Sequence, residues 1–230
     1  MVTPLTARAH AYVADLEAPA LTEDDRHHLG RVLRMPIGAD LTVGTGDGAW
    51  RACRLQDGLA LAAAGPVVRD PAPAPALTVG FALVKGERPE WAVQKLTELG
   101  VDRIVPFLAE RSVVRWDDAK VARQAQRWRD IARGAGMQSR RTWLPDVAPV
   151  APFAEVAALA GAVLADAAGA GPSLAHPVVL VGPEGGWSPA ERASGLPTVQ
   201  LGDHVLRADT AAITAGAIFA ALRSGLVATT

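Results

Sequence analysis

Two apolar runs near the C-terminal end, each broken by a glycine turn, constrain the fold more than any other feature of the sequence. Val178-Val179-Leu180-Val181 passes into Gly182-Pro183-Glu184-Gly185-Gly186. Thr198-Val199-Gln200-Leu201 passes into Gly202-Asp203-His204-Val205-Leu206-Arg207, and a long alanine-rich helix opens at Asp209-Thr210-Ala211. Two strand ends that each open into a glycine turn beside a helix start can hold a small ligand with backbone amides. Ser188-Pro189-Ala190-Glu191 reinforces the reading: a capping serine, proline at the first helical position and glutamate three residues after the cap mark a helix start. Residues 182–187 are therefore a strand-to-helix loop. Asp209 is placed to cap the last helix, which is apolar nearly all round and so suited to a subunit interface.

Upstream, strands and helices alternate, which argues for a mostly parallel sheet covered on both faces. Residues 77–84 form an apolar strand, and Pro89 starts a helix with Val93, Leu96 and Leu99 inward and Gly100 as its stop. Residues 101–108 are the next strand. Trp116-Asp117-Asp118 opens a helix that lines Val121, Ala125, Trp128 and Ala132 on one side and breaks at Gly134-Ala135-Gly136. The first seventy residues read differently. Thr22 caps a helix with an acidic first turn and a stripe of Leu29, Val32 and Leu33, and short strands follow at 41–43 and 49–55 with another after Asp57-Gly58. The proline-rich connector 65–76 separates this β-rich module, residues 1–70, from an α/β domain at 71–230.

At 230 residues, half of them apolar, the chain can bury a sizeable core. One cysteine, Cys53, excludes an internal disulfide and a thiolate metal cluster, and His27-His28 lacks further ligands at metal spacing, so no metal is expected. The N-terminus lacks the pattern of a signal peptide and no apolar stretch of membrane-spanning length is free of polar residues; a cytoplasmic location follows as the expectation, with no membrane partner. The net charge of -1 conceals a basic stretch: residues 111–141 carry nine Lys or Arg against three acidic residues. That stretch is either an RNA-facing surface or a solvated helix face. Neither glycine loop fits a phosphate pattern, since a P-loop ending and the G-x-G-x-x-G spacing are both missing. Glu184 suits a cationic or hydroxyl-bearing ligand.

Leu83-Val84-Lys85-Gly86, Glu90-Trp91 with Gln94 to Val101, Gly182 to Gly186, Leu201-Gly202 and Leu206-Arg207-Ala208-Asp209-Thr210-Ala211, together with His27-His28-Leu29 and Val32-Leu33-Arg34, resemble the RsmE family. These are ribosomal RNA uridine N3-methyltransferases of the small subunit, within the SPOUT class. The resemblance implies a PUA-like β-barrel that helps bind RNA, followed by an α/β domain with a deep trefoil knot and a homodimer built on it. It implies S-adenosylmethionine as methyl donor, held by three loops: the end of the domain's first strand with Leu83, the turn after Val181 with Gly182, Pro183, Glu184, Gly185 and Gly186, and the segment containing Leu201, Gly202, Leu206 and Ala211. The substrate implied is uridine N3 in 16S ribosomal RNA.

That nitrogen carries a proton near neutrality, and removing it puts negative charge on the flanking carbonyls, so the site wants a base, a cation or hydrogen-bond donors. Arg207 and Arg140 are candidates for stabilising the anion or holding a neighbouring phosphate; Asp209 is either a base or a helix cap. Arg31, Arg34, Arg123, Arg127, Arg133 and Arg141 are candidates for RNA contact. The family more often has glutamate where this chain has Met137 and Asp209, so an essential carboxylate at 137 is excluded. Alternatives are a SPOUT methyltransferase of another RNA site, a noncatalytic ribosome-assembly protein, and a nucleotide-dependent oxidoreductase disfavoured by the missing fingerprint.

Overall fold

The structure is a computed structural model that describes residues 2–83, 88–112, 114 and 116–228. It divides into two compact units, Met1–Ala72 with Arg133–Leu144, and Pro73–Ala132 with Pro145–Thr230.

In the first unit, β1 (His10–Tyr12), β2 (Asp40–Gly44), β3 (Ala49–Leu55) and β4 (Leu61–Ala63) lie in that order, and β5 (Val68–Arg69) pairs the start of β3. Only β1 and β2 run parallel. The two strands that the sequence does not announce are β1, three residues long, and β5, two residues inside the proline-rich connector. Alternation over so few residues carries no periodic signal. Ala11, Leu29, Leu41, Val43, Cys53 and Leu55 form the dry centre.

Thr22 caps α1 (Glu23–His27) as its sequence position predicts, with its Oγ accepting from the Asp25 amide at 3.1 Å. The expected inward stripe then breaks. Residues 28–32 form a π turn, with Leu33 N donating to His28 O across five residues, and the extra residue in that turn rotates the following side chains. Leu29 stays buried, but Val32 and Leu33 are 60% and 46% exposed, and Met35 takes the inner place.

The segment Arg133–Leu144, placed by sequence in the second domain, packs in the first unit. The reason is a set of backbone bonds that bind it there: Tyr12 donates its hydroxyl to Arg141 O (2.6 Å), Gly48 N to Thr142 O (3.0 Å) and Leu144 N to Gly46 O (2.9 Å). The helix α3 (Asp118–Ser139) also runs through Gly134-Ala135-Gly136 without a break. Gly136 is used for close approach, since a Cβ there would stand 2.6 Å from both Tyr12 Oη and Leu144 Cδ2. Arg133 forks onto Asp25 at 2.9 and 2.6 Å and donates to Tyr12 O at 3.0 Å. The Asp25 side chain is only 3% exposed. Burial by itself raises its pKa, but the bonds from Arg133 and Thr22 outweigh that and hold the carboxyl below its usual range.

In the second unit, β6 (Thr78–Ala82), β7 (Arg103–Leu108), β8 (Asp146–Val147), β9 (Ala151–Pro152), β10 (Ala162–Ala170), β11 (Val178–Val181) and β12 (Thr198–Val199) make one parallel sheet. Its order is β12-β10-β11-β6-β7-β8, with β9 beside the C-terminal end of β7. Every residue of β6 and β11 is buried, as a central parallel strand covered on both faces requires. α2 (Arg88–Leu99) packs on α6 (Ala208–Arg223), and the bare Cα of Gly216 permits it, because a Cβ would lie 2.6 Å from Leu96 Cδ2. α6 is not buried all round: Ala208, Ala212, Ala215, Gly216 and Phe219 turn inward, while Ile213, Ala217 and Ala221 are half-buried. Its last turn is tied by Arg223, which pairs with Asp102 and donates to Gly100 O at 2.7 Å.

Two stability effects follow for the first unit. His10 is 2% exposed, bonded through Nδ1 to Thr42 Oγ1 at 2.9 Å, and its pKa falls to about 4, first through burial and then through the charge of Arg140. The unfolded chain takes up this proton near pH 6.5 and the folded chain only near 4, so the contribution is complete above pH 6.5 and lost as pH falls to 4. It amounts to about 3 kcal/mol. Urea unfolding at stepped pH should show this slope, and His10→Gln should flatten it. Arg133→Ala leaves the Asp25 carboxylate buried without its cation and should lower the unfolding free energy by about 2–3 kcal/mol at pH 7.

Candidate methyl-donor site

The C-terminal ends of β10, β11 and β12 enclose a cavity of about 300 Å³. Three segments line it: Ala165-Asp166-Ala167 from β10, Val181 to Glu184 with Gly186 and Trp187 after β11, and Leu201-Gly202 with His204, Val205, Leu206, Ala208 and Ala211 leading into α6. Arg192, from α5 (Pro189–Arg192), completes the wall. The volume is in the range of small-molecule sites, and the place, outside the carboxyl ends of parallel strands, is where such sheets bind ligands.

Of the residues that the sequence reading proposes for the donor, Val181, Gly182, Pro183, Glu184, Gly186, Leu201, Gly202, Leu206 and Ala211 line the cavity. Leu83 and Gly185 do not. Leu83 is 1% exposed in the main core, with its amide donating to Phe107 O at 2.9 Å, because the strand end it follows is sandwiched between neighbours. Gly185 is on the outside of its turn, where its carbonyl accepts from Arg111 Nη1 at 2.8 Å. A Cβ on Gly185 would meet Arg111 only at ordinary contact, 3.6 Å, so a side chain there does not enter the cavity. Val84, Lys85 and Gly86, the rest of the third expected loop, lie outside the described residues.

The catalytic candidates separate. Arg207 is exposed and is the N-cap residue of α6, with no side-chain cap bond. Asp209 is one position past the first helical residue, so it does not cap; its Oδ1 is buried and has no hydrogen-bond partner among the described residues. The helix starts two residues earlier than a cap at Asp209 implies because Arg207 O already accepts from Ala211 N at 2.8 Å. Arg140 belongs to the first unit, where it takes a left-handed backbone (φ 60°) and donates to Leu5 O at 2.6 Å.

The candidates for RNA contact also divide. Arg31, Arg34 and Arg123 are exposed. Arg127 is held by Glu90 in a two-point pair, Nη2 to Oε2 and Nε to Oε1 both at 2.8 Å. Arg133 is committed to Asp25. Arg141 is half-buried and its carbonyl is occupied by Tyr12. Met137, half-buried, packs on the core of the first unit with its sulfur 3.3 Å from Arg133 Nη1.

Three features of the site escape the sequence reading. Trp187 is 3% exposed, stacked on Phe107 at 6.1 Å with rings 1° apart, and donates Nε1–H to Ala165 O at 2.9 Å. Gly182 is bare because of it: a Cβ would come 2.9 Å from the indole. Glu191 does more than close the capping box. It is 4% exposed, and its oxygens accept from Ser188 N and Glu110 N, both at 2.8 Å, which ties the loop after β11 to the end of β7. Asp166 faces Arg192 Nη1 at 2.6 Å; the Ala168 amide first, with Arg192, keeps its carboxyl below the usual range against the effect of burial. Trp187 carries the one sequence signal available, a large aromatic directly after a glycine turn.

Residues 71–220 match the RNA methyltransferase domain family, and residues 21–58 match the RNA methyltransferase PUA domain. Over 216 residues the chain is 35% identical to a ribosomal RNA small subunit methyltransferase E of Mycobacterium bovis, covering 84% of this chain and 82% of the relative. The chain belongs to that methyltransferase family. The Bacillus subtilis member is 30% identical over 86% of this chain and 89% of its own length. Among solved structures, the Neisseria gonorrhoeae member bound to S-adenosyl methionine is 29% identical, with a TM-score of 0.75 over 93% of this chain and 97% of that one. A methyltransferase from Legionella pneumophila in complex with SAM gives 28% identity and 0.78 over 92% and 96%. The architecture is therefore that of the family, a PUA domain followed by a SPOUT-type α/β methyltransferase domain.

Trp187→Ala removes the stacked ring and the Ala165 bond together and should cost about 3–5 kcal/mol in urea unfolding. Trp187→Phe, which keeps an aromatic ring and leaves the Ala165 carbonyl without its donor, should cost less than half of that.

Proposed function

We propose that this chain transfers a methyl group from S-adenosylmethionine to N3 of a specific uridine in 16S ribosomal RNA. The observation that carries the reading is the single cavity wall shared by both glycine loops, in a chain of this family. Its donor set fits the methyl donor. Val181, Pro183, Leu201, Leu206 and Ala211 offer an apolar seat for a flat ring, and the backbone at Gly186 and Gly202 is open to close approach. Glu184 and Asp166 offer carboxylates to hydroxyl or ammonium groups, and the phosphate-binding patterns are missing, in keeping with a nucleoside that carries no phosphate. Bound there, the donor supplies an electrophilic methyl group on a sulfonium. Arg207, exposed at the start of α6 between the cavity-lining Leu206 and Ala208, is the cation assigned to the charge that develops on the uracil carbonyls.

RNA binding falls to the first unit and the exposed part of α3. Arg31 and Arg34 stand beside exposed Val32, Leu33 and Ile37, an aliphatic and basic surface suited to folded RNA, and Arg123 adds charge from α3. Arg127 and Arg133 do not belong to it, since their charge is already matched by carboxylates. The half-buried row Ile213, Ala217 and Ala221 supports a homodimer, and the knot implied by the family resemblance and a cytoplasmic site of action form part of the same proposal. Among the described residues no helix is long and apolar enough to cross a membrane, and no group of metal-binding side chains occurs.

The test is methylation of 16S ribosomal RNA by the purified chain, followed by mass spectrometry of nucleosides against an N3-methyluridine standard; a methyl group on another atom, or none, overturns the reading. Ala211→Phe fills the cavity from α6 and should lower affinity for S-adenosylmethionine by at least tenfold in calorimetry with an unchanged unfolding midpoint. Arg31→Glu with Arg34→Glu should weaken RNA binding and reduce its salt dependence, leaving donor affinity unchanged.

A further inference from the structure

The titratable side chains lining the cavity are Asp166, Glu184, Arg192 and His204, among the described residues. Asp166 and Arg192 are paired with each other. Arg192 in any case cannot act as a base at neutral pH. Glu184 lies in the turn after β11, which is fastened through Gly185 to Arg111 and through the capping box to β7. His204 is different in kind and in place. It stands in the stretch 202–207 between β12 and α6, where Asp203, His204 and Val205 are all exposed and Val205 reaches 97%. Gly202, His204, Val205 and Leu206 of that stretch line the cavity, and the first three are at the same time exposed. Arg207 closes the same stretch.

Resting on the methyl-transfer reading above, we propose that His204 is the catalytic residue that takes the proton from uridine N3. A group with this task has to lie at the cavity that holds the donor and also face the incoming RNA, and it has to be able to accept a proton. His204 meets all three conditions. Imidazole as a type suits removal of a proton from a weak nitrogen acid better than a carboxylate does, since its ordinary basicity lies closer to neutrality. Asp209 meets the conditions less well, because it is not part of the cavity wall and one of its carboxylate oxygens is buried. The step balances. The N3–H proton passes to an imidazole nitrogen, the nitrogen lone pair so freed forms the bond to the methyl carbon, and the electron pair of the broken carbon–sulfur bond stays on sulfur. The imidazolium gives its proton to water once the methylated RNA has left and the loop is again exposed. Arg207 stabilises the uracil anion in the interval, while Asp203 on the same loop and Glu184, Asp166 and Arg192 around the cavity are the charged groups that set the field at His204.

The experiment uses the full chain and His204→Gln, with His204→Ala as a second variant. Single-turnover methylation of 16S ribosomal RNA is followed from pH 6 to 9, and affinities for S-adenosylmethionine and for RNA are measured separately at matched salt. The expected result is a rate loss of about 10²–10³-fold at pH 7, with both affinities within twofold of wild type. The deficit should shrink as pH rises and hydroxide takes over the proton. Carbon-13 labelled histidine should show the His204 resonance, identified by its loss in His204→Gln, shifting when RNA binds with S-adenosylhomocysteine present. An unchanged rate and pH profile in both variants overturns the assignment while leaving the methyl-transfer reading in place. So does a loss traced wholly to weaker donor binding. A wild-type chain that binds no S-adenosylmethionine, or methylates another atom, overturns the methyl-transfer reading and the assignment with it.

Discussion

The indole of Trp187 is the contact on which the site depends. Its ring lies parallel to Phe107 of β7, its N–H is bonded to Ala165 of β10, and its edge fills the space left by the absent side chain of Gly182 after β11. The ends of β10 and β11, which are neighbours in the sheet, are thereby tied to β7, which lies beyond β6. A parallel sheet leaves its carboxyl ends as loops with unpaired backbone groups, and those loops collapse or wander unless a side chain fixes them. Here one aromatic ring supplies packing area and one hydrogen bond. Glu191 adds the second brace, accepting from the backbone at both Ser188 and Glu110. A carboxylate 4% exposed is tolerable only because both oxygens accept from amides.

The parts of this arrangement legible in the sequence are the ones determined by near neighbours. The capping box at Ser188 to Glu191, the Thr22 cap, the stop at Gly100 and the strand end at Val181 depend on residues a few positions apart, and the structure has each where local chemistry puts it, while the strand read as 198–201 stops at Val199. The readings that fail involve distant partners. α3 continues through two glycines because Tyr12 and Leu144 pack on Gly136, and helix propensity knows nothing of them. The π turn after His27 moves Val32 and Leu33 to the surface, and a stripe read at 3.6 residues per turn cannot anticipate it. For the site, both glycine loops were visible as a pair of strand ends, while their meeting in one wall with β10 was not, since Ala165, Asp166 and Ala167 carry no signal of their own.

Charge shows the same division. A count of residues 111–141 gives a strongly basic segment, yet the structure uses several of its guanidinium groups internally. Arg111 bonds Gly185, Arg127 grips Glu90 from 37 positions away, and Arg133 grips Asp25 from 108. A paired guanidinium contributes little to the long-range field, so the surface available to a polyanion is smaller than the count implies and moves toward Arg31, Arg34 and Arg123. The planar fork of arginine explains why these positions are arginine: two-point pairing with a carboxylate fixes orientation, which a lysine ammonium does not do. What reads in sequence as attraction for RNA is in good part fastening inside each unit.

The two loops of the cavity differ in how firmly they are held, and the difference matches the two ligands of the proposed reaction. Residues 182–187 are braced by Trp187, by the Ser188 box and by Arg111. A small donor offers few contacts with which to organise its own site, so a preformed wall is what affinity requires. In 202–207, Gly202, Asp203, His204 and Val205 are exposed, with Val205 almost fully so. An isolated exposed aliphatic residue needs no explanation by itself, but here it stands between a histidine on the cavity wall and the arginine that opens α6. A folded RNA brings its own structure and a large contact area, so this side of the site can remain open until the substrate covers it. Covering it would also exclude water from the reacting nitrogen, which strengthens the interaction of Arg207 with the developing anion at the moment it is needed.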